Sequence, residues 1–132
     1  MRRIASLVQS EFLDWIGWIL LNIPGKIGVV VQQILLCARL RKCGVKFLTG
    51  TGCKFSGLNN IEIGDGVAFL GQNYMLSGVS GSIKIGSRVA VNFGTIVDAA
   101  FGSVEILDDC IIGPNVIIRA SNHNFSRTDI PI

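Results

Sequence analysis

The chain has 132 residues, of which 49% are hydrophobic and only 16% charged, and its formal net charge is +3. This length accommodates one domain with a small appendage, and the 16 glycines favour a turn-rich solenoid over a helical bundle. A Cys/His zinc site would need an unusual ligand set because the chain has a single histidine, so no metal is expected. The basic residues alternate with aliphatic ones and form no polar stripe, which argues against nucleic-acid binding.

The N-terminal segment, residues 1–44, differs in charge from the rest of the chain. Residues 1–46 carry a net charge of +5, whereas residues 47–132 carry −2. Two apolar runs, 12–23 and 27–40, are separated by Pro24 and Gly25, which predicts two helices in a hairpin. Each helix would be about 18 to 21 Å long, too short to cross a hydrocarbon core of about 30 Å.

Two interpretations of this helical segment remain open. In the first, the hairpin lies in an anionic membrane interface, with aromatic side chains at headgroup level and basic ones facing lipid. In the second, it is a cap that covers the open first coil of a solenoid. The residues assigned to lipid contact in the first interpretation are Trp15, Trp18, Arg39, Arg41, Lys42 and Lys46.

The four cysteines are Cys37, Cys43, Cys53 and Cys110, and none of them forms a CxxC pair. Free thiols in a reducing compartment are therefore expected rather than disulfides.

A pentapeptide recurs three times in the second region, residues 45–132. It occurs as Ile-Glu-Ile-Gly-Asp at 61–65, Ile-Lys-Ile-Gly-Ser at 83–87 and Val-Glu-Ile-Leu-Asp at 104–108, at offsets of 22 and 21 residues. Within each unit, apolar residues are six apart, which is typical of short strands separated by turns around a three-sided coil. The predicted inward residues are Ile63, Phe69, Met75, Ile85, Val91, Val97, Ile106, Ile112 and Ile118.

This pattern predicts a mainly β protein, a parallel β-helix preceded by the helical hairpin. Three hexapeptides need about 18 residues, so the residues in excess are placed in outward loops at 77–81 and 99–102. Gly64, Gly86 and Gly113 are predicted to lie at corners that need unusual backbone angles and little bulk. An ordinary β-sandwich with evenly spaced strands is the alternative.

From about Val45 to Ile132 the chain resembles the hexapeptide-repeat acyltransferases, and within them the galactoside and maltose acetyltransferase branch found with capsule and exopolysaccharide genes. The segments that carry the resemblance are Ile83–Gly86, Ala90–Phe93, Thr95–Asp98, Ile112–Val116, Ser121–Phe125 and Asp129–Ile132. The resemblance implies a left-handed coil, a homotrimer with active sites between subunits, and acetyl-CoA as acyl donor. It also implies a sugar or polysaccharide acceptor.

The resemblance assigns the chemistry to His123, the only histidine, as the general base that deprotonates the acceptor hydroxyl. A backbone carbonyl or a carboxylate such as Asp129 would orient its ring. Asn92 matches an asparagine that contacts the acceptor, and a family aspartate falls on Asp98 or Ala99. Ser121 and Asn122 are further candidates for the same acceptor pocket.

The family continues beyond the equivalent of Ile132 with coils that supply most of the CoA-binding surface. No CoA-binding residue is therefore assigned, and residues 1–132 are interpreted as an N-terminal portion with little or no activity alone. The expected location is cytoplasmic, peripheral to the inner face of the membrane. Two alternatives to a glycan O-acetyltransferase are a catalytically incompetent trimerising scaffold and an O-acetyltransferase of a small acceptor such as serine or an antibiotic.

Overall fold

The structure is a computed structural model that describes residues 15–16, 18–20 and 23–120. Its one α-helix with both ends described, α1, spans Gly25–Cys37, and residues 15, 16 and 18–20 are also helical. A 3-10 helix spans Leu58–Asn60 at the third corner of the first coil. Pro24 precedes α1 with an extended backbone, φ −74° and ψ 161°, because proline suits the residue before a helix and cannot continue one. Helical residues thus lie on both sides of Pro24, as predicted. Within the described residues, no helix is long and apolar enough to span a bilayer.

After α1 the chain forms short strands that belong to three parallel sheets of four strands each. Sheet 1 contains β1 (Lys42–Cys43), β4 (Ile61–Ile63), β7 (Ser82–Ile85) and β10 (Ser103–Ile106). Sheet 2 contains β2 (Leu48–Thr49), β5 (Ala68–Phe69), β8 (Ala90–Val91) and β11 (Ile111–Ile112). Sheet 3 contains β3 (Lys54–Ser56), β6 (Tyr74–Ser77), β9 (Ile96–Ala99) and β12 (Ile117–Arg119).

The chain visits the sheets in the order 1, 2, 3 and then returns to sheet 1, so each set of three strands is one coil. The predicted parallel β-helix is confirmed as a solenoid of four such coils, and the sandwich alternative is wrong. Strand β1 lies just before residue 45, where the sequence predicts the repeat region to begin.

Strand register reproduces the repeat offsets read from the sequence. Ile61 pairs with Ile83, and Ile83 pairs with Val104, which are separations of 22 and 21 residues. The same register extends the repeat one coil earlier, because Cys43 pairs with Ile63 at a separation of 20. The variation in length falls at the third corner, between sheets 3 and 1, where the predicted outward loops contain the exposed side chains of Val79 and Phe101.

The core consists of the inward residues that the six-residue step predicts. Those of the second and third coils are almost completely buried, and the inward residues Ile112 and Ile118 of the fourth coil are half-buried. In the first and second coils, three phenylalanines form a cluster of edge-to-face contacts with ring centroids 5.3 to 6.4 Å apart: Phe47, Phe55 and Phe69. Such stacks exclude water from the interior and tie each coil to its neighbours.

The prediction of little bulk at the corner glycines is correct for Gly64 and Gly86 but not for Gly113, and the prediction of unusual backbone angles is wrong for all three. Gly64, Gly86 and Gly113 are absent from the residues with positive φ. A Cβ at Gly64 would instead lie 2.6 Å from the carbonyl carbon of Gly86, so close stacking of the coils explains the small residue there. At Gly113 the nearest neighbour of an added Cβ is 3.9 Å away, so space does not require glycine.

Eight of the eleven described residues with positive φ lie elsewhere on the corners, in two columns, and the other three are Gly25, Gly57 and Gly71. The first-corner column is Lys46, Gly66, Arg88 and Asp109, and the second-corner column is Gly52, Gln72, Gly94 and Asn115. Each column repeats at the same offsets as the strands, so the strained conformation is a property of the coil and is occupied by non-glycine residues as well.

One cysteine expectation is corrected. Cys37 and Cys43 form a disulfide with their Cα atoms 5.1 Å apart, whereas Cys53 and Cys110 are free. The turn between α1 and β1 brings the two residues together, because it reverses the chain within six residues.

Helix α1 packs against the first coil at its open end. Thr49 points into the coil and is buried, and its hydroxyl donates a hydrogen bond of 2.9 Å to Oε1 of Gln32 on α1. Leu36 and Leu40 join the same hydrophobic cluster as Phe47. This packing is that of the predicted cap, and membrane contact stays a prediction.

Candidate functional site

Of the predicted site residues, Asn92 and Asp98 can be located, whereas Ser121, Asn122 and His123 lie outside the described residues. Asp129, a candidate for orienting the imidazole, also lies outside them.

Asn92 follows β8 at the second corner and connects three coils. Its side-chain Nδ2 donates to the backbone carbonyl oxygen of Ile112 in the fourth coil at 2.8 Å. Its backbone carbonyl oxygen accepts from Nδ2 of Asn73 in the second coil at 2.6 Å. Asn73 is itself buried, and its Oδ1 accepts from the backbone N–H of Gly71 at 3.2 Å. Buried amides that satisfy backbone groups in this way stabilise the corner, so the contacts of Asn92 describe a structural role.

Asp98 lies in the middle of β9 and points outward, whereas Ala99 is completely buried in the interior. Alternation along the strand therefore places the carboxylate of Asp98 on the outer surface. The match of the family aspartate to Asp98 or to Ala99 stays a prediction. Its Oδ2 lies 3.0 Å from Nε of Arg119, and its Oδ1 accepts from the backbone N–H of Ala100 at 3.0 Å. The carboxylate is thereby fixed, with its side chain only 13% exposed.

Arg119 is a residue that the sequence reasoning missed. It lies directly above Asp98 in the neighbouring strand, a register separation of 21 residues. The repeat offset applied to charged outward positions would have found this pair, because the same offset pairs Lys84 with Glu105 at 2.7 Å.

The structure holds the chain firmly up to the start of the predicted active-site loop. The backbone N–H of Ala120 donates to the carbonyl oxygen of Asp98 at 2.8 Å, so the residue before Ser121 is fixed on the edge of sheet 3. Asn92 lies at the second corner, between sheets 2 and 3, and Asp98 lies within β9, and their hydrogen-bond partners have no residue in common.

Two clefts elsewhere do not include either residue. A cleft of about 340 Å³ lies between the start of α1 and the first coil, beside Lys26 and Thr51, and one of about 540 Å³ lies at the third corner, beside Arg39 and Asn60. Within residues 23–120 and the helical positions before them, His, Cys, Asp and Glu form no group that could hold a metal ion.

Among the described side chains, Cys53 is a poor nucleophile. Burial raises the pKa of its thiol, and the thiol donates to Oδ1 of Asn73 at 3.5 Å. A protonated thiol that is partly buried is much less reactive than a thiolate. Cys53 is therefore not a candidate nucleophile for covalent catalysis.

Comparisons with known proteins return no similarity: no family model matches the chain, and neither a curated protein nor a solved structure matches it significantly. The fold therefore rests on the structure itself, and the family resemblance rests on the motifs.

Proposed function

We propose that this chain is the solenoid portion of a hexapeptide-repeat O-acetyltransferase that uses acetyl-CoA to acetylate a hydroxyl of a sugar or polysaccharide precursor. The observation that carries the proposal is that the last described strand of the solenoid leads directly into the motif that contains the histidine. Asp98 and Arg119 form an outward ion pair on the third sheet, and the chain fixed on them at Ala120 continues directly into Ser121-Asn122-His123. Three residues of chain reach at most about 11 Å, so the proposal requires the imidazole of His123 to act near this edge.

The chemistry needs only one base. His123 as neutral imidazole accepts the hydroxyl proton while the hydroxyl oxygen bonds to the acyl carbon of the thioester. The carbon–sulfur bond then breaks, and the CoA thiolate that leaves takes up the proton from the imidazolium of His123, which restores the neutral base. A thiolate is a good leaving group, so this transfer requires no covalent intermediate on the protein. The side chains of Asp98 and Arg119 lie on one outward face, 13% and 60% exposed, and offer hydrogen bonds to an acceptor hydroxyl. The other acceptor-site candidates stay Asn92, Ser121 and Asn122.

A homotrimer is part of the proposal, and the outward side chains of the sheets support it. The outward column of sheet 1 alternates in charge, through Lys42, Glu62, Lys84 and Glu105. The corresponding column of sheet 2 is apolar, with exposed Leu48 and Ile111 at its ends and Ala68 and Ala90 between them. An apolar sheet face is suited to a subunit contact, and the same face favours the scaffold alternative.

A cytoplasmic location, on the inner face of the membrane, completes the proposal. There the Cys37–Cys43 pair would be reduced to two thiols. A small acceptor such as serine or an antibiotic is a further alternative, which the acceptor panel below distinguishes.

The test measures transfer of acetyl groups from acetyl-CoA to oligosaccharides, serine and hydroxylated antibiotics by mass spectrometry. Two chains are compared: residues 1–132, and the chain continued by whatever its coding sequence supplies after Ile132. We expect little turnover from the first and clear turnover from the second. His123→Ala should lower kcat by on the order of 10² or more, while Asn59→Ala, an exposed change in the first coil, should leave it unchanged.

Retained activity in His123→Ala would refute the assigned base. Trimers without transfer in the continued chain, seen by sedimentation, would favour the scaffold alternative.

A further inference from the structure

Helix α1 packs one side against the solenoid and exposes an apolar line on the opposite side. Gln32 and Leu36, spaced by four, face the first coil, and Gly28 on the same line is buried against Ile23. Ile27, Val30 and Ile34, at spacings of three and four, form a second line about half a turn away; we name these three residues the outer stripe. Ile27 is 74% exposed and Ile34 is 63% exposed. A cap in water needs only one apolar side, so capping does not explain the outer stripe.

The helical residues before Pro24 add exposed aromatic surface. Trp15 and Trp18 are both more than half exposed and meet edge to face, with ring centroids 6.3 Å apart. Ile19 beside them is also exposed. Tryptophan is enriched where a protein meets lipid headgroups, because its ring is amphipathic.

Charge is distributed unevenly along the solenoid axis, and the capped end is basic. Residues 15–60 include six Lys or Arg and no Asp or Glu, whereas residues 61–120 include three Lys or Arg and six Asp or Glu. Lys26 and Arg39 are exposed at the two ends of α1, and Lys46 is exposed at a corner of the first coil. One of the six, Arg41, is paired with Glu62 at 3.2 Å, and the others leave the capped end positive.

We propose that the capped end docks on an anionic lipid bilayer, with α1 lying in the plane of the interface and the outer stripe buried in it. The 13 residues of α1 are too short to cross the bilayer, but an amphipathic helix with basic residues at its margins binds within the headgroup region. The acidic later coils would be repelled by the same surface, which orients the solenoid with its fourth coil away from lipid. This inference does not depend on the transferase activity.

The experiment measures binding of the 132-residue chain to vesicles by flotation and by fluorescence. The only two tryptophans are Trp15 and Trp18, so intrinsic emission reports on this end of the molecule alone. We expect flotation and a blue shift with vesicles of phosphatidylserine and phosphatidylcholine. Binding should be much weaker with phosphatidylcholine alone, and should fall with added salt because the lipid surface potential is screened.

Matched substitutions identify the surface. Ile34→Asp should lower vesicle affinity by about tenfold or more, because it places a carboxylate in the outer stripe, which the proposal buries in lipid. Val79→Asp, at an even more exposed apolar position on the third corner of the second coil, should leave affinity unchanged. Arg39→Gln should weaken binding to anionic vesicles, while Lys84→Gln on sheet 1 should not.

Circular dichroism and urea unfolding of each variant separate lost binding from lost structure, because the outer stripe is exposed in the folded chain. Vesicle binding by Ile34→Asp equal to that of the unchanged chain would overturn the proposal. Equal flotation with anionic and with neutral vesicles would also overturn it. So would an Ile34→Asp variant that loses only self-association in the absence of lipid, because that result would identify the outer stripe as a contact between protein chains.

Discussion

The first and fourth coils share the same repeat but differ in how their inward side chains are covered. Thr49, Phe69, Val91 and Ile112 occupy one column through the four coils. Thr49 in the first coil is buried beneath α1, and Phe47 in the same coil is completely buried, whereas Ile112 is only half-buried. The comparison teaches that an element with a different period, a helix, can complete the core of a solenoid as well as another coil does.

The largest expected effect comes from emptying the core beneath the cap. Phe47→Ala removes a fully buried ring that contacts both Phe55 and Phe69, so it should lower the free energy of unfolding by about 3 to 5 kcal/mol. Ile112→Ala in the fourth coil should cost clearly less, because part of the side chain already contacts water. Urea unfolding followed by circular dichroism measures both values. Equal losses would show that the cap does not make the first coil the better packed end.

The inward positions were predictable from the sequence because they depend on periodicity alone. A six-residue step identifies Ile63, Phe69 and Met75 without knowledge of neighbouring coils, and all three are buried. The first coil was harder to detect, since Cys43 and Thr49 occupy the inward positions where later coils have larger aliphatic or aromatic residues. Its assignment depends on strand register, which is a non-local property.

The candidate site was only partly predictable for a related reason. The sequence identified Asp98 as an acceptor-site candidate, but the outward direction of its carboxylate depends on which side of the strand faces the interior. The partner Arg119 depends on the register between two coils. The Cys37–Cys43 pair depends on the path of a turn, for which the sequence has no periodic signal.

An intermediate effect is expected from adding a methyl group at the two ends of another column. Gly50 in the first coil and Gly113 in the fourth occupy equivalent positions after β2 and β11. A Cβ at residue 50 would lie 2.2 Å from the carbonyl oxygen of Leu70, whereas at residue 113 the one contact among the described residues would be Val116 at 3.9 Å. Gly50→Ala should therefore lower the free energy of unfolding by about 1 to 3 kcal/mol through overpacking.

Gly113→Ala is the control for this pair and should leave stability within about 0.5 kcal/mol of the unchanged chain. Thermal and urea unfolding both measure the difference. If Gly113→Ala were as destabilising as Gly50→Ala, close contact with the carbonyl oxygen of Leu70 would not explain the loss at residue 50.

The smallest effect concerns pH, because exposed ion pairs help to hold the fourth coil to the third. Both carboxylate oxygens of Asp109 accept hydrogen bonds from Arg88, and this contact holds the pKa of Asp109 below its usual value. A carboxyl group whose pKa is lowered on folding stabilises the folded chain above its unfolded pKa of about 3.9. That contribution is lost as the pH falls through the lowered value.

We therefore expect Asp109→Asn to lower the urea midpoint slightly near pH 7 and to have no effect once the carboxyl is protonated in both states. Asparagine tolerates the left-handed backbone of this corner, φ 59°, so the substitution tests charge rather than conformation. Both groups are well exposed, which is why the change is small and should shrink further in high salt. In an Arg88→Gln background the same substitution should do nothing at any pH. A pH-independent loss there would instead assign the role of Asp109 to its backbone position and not to the ion pair.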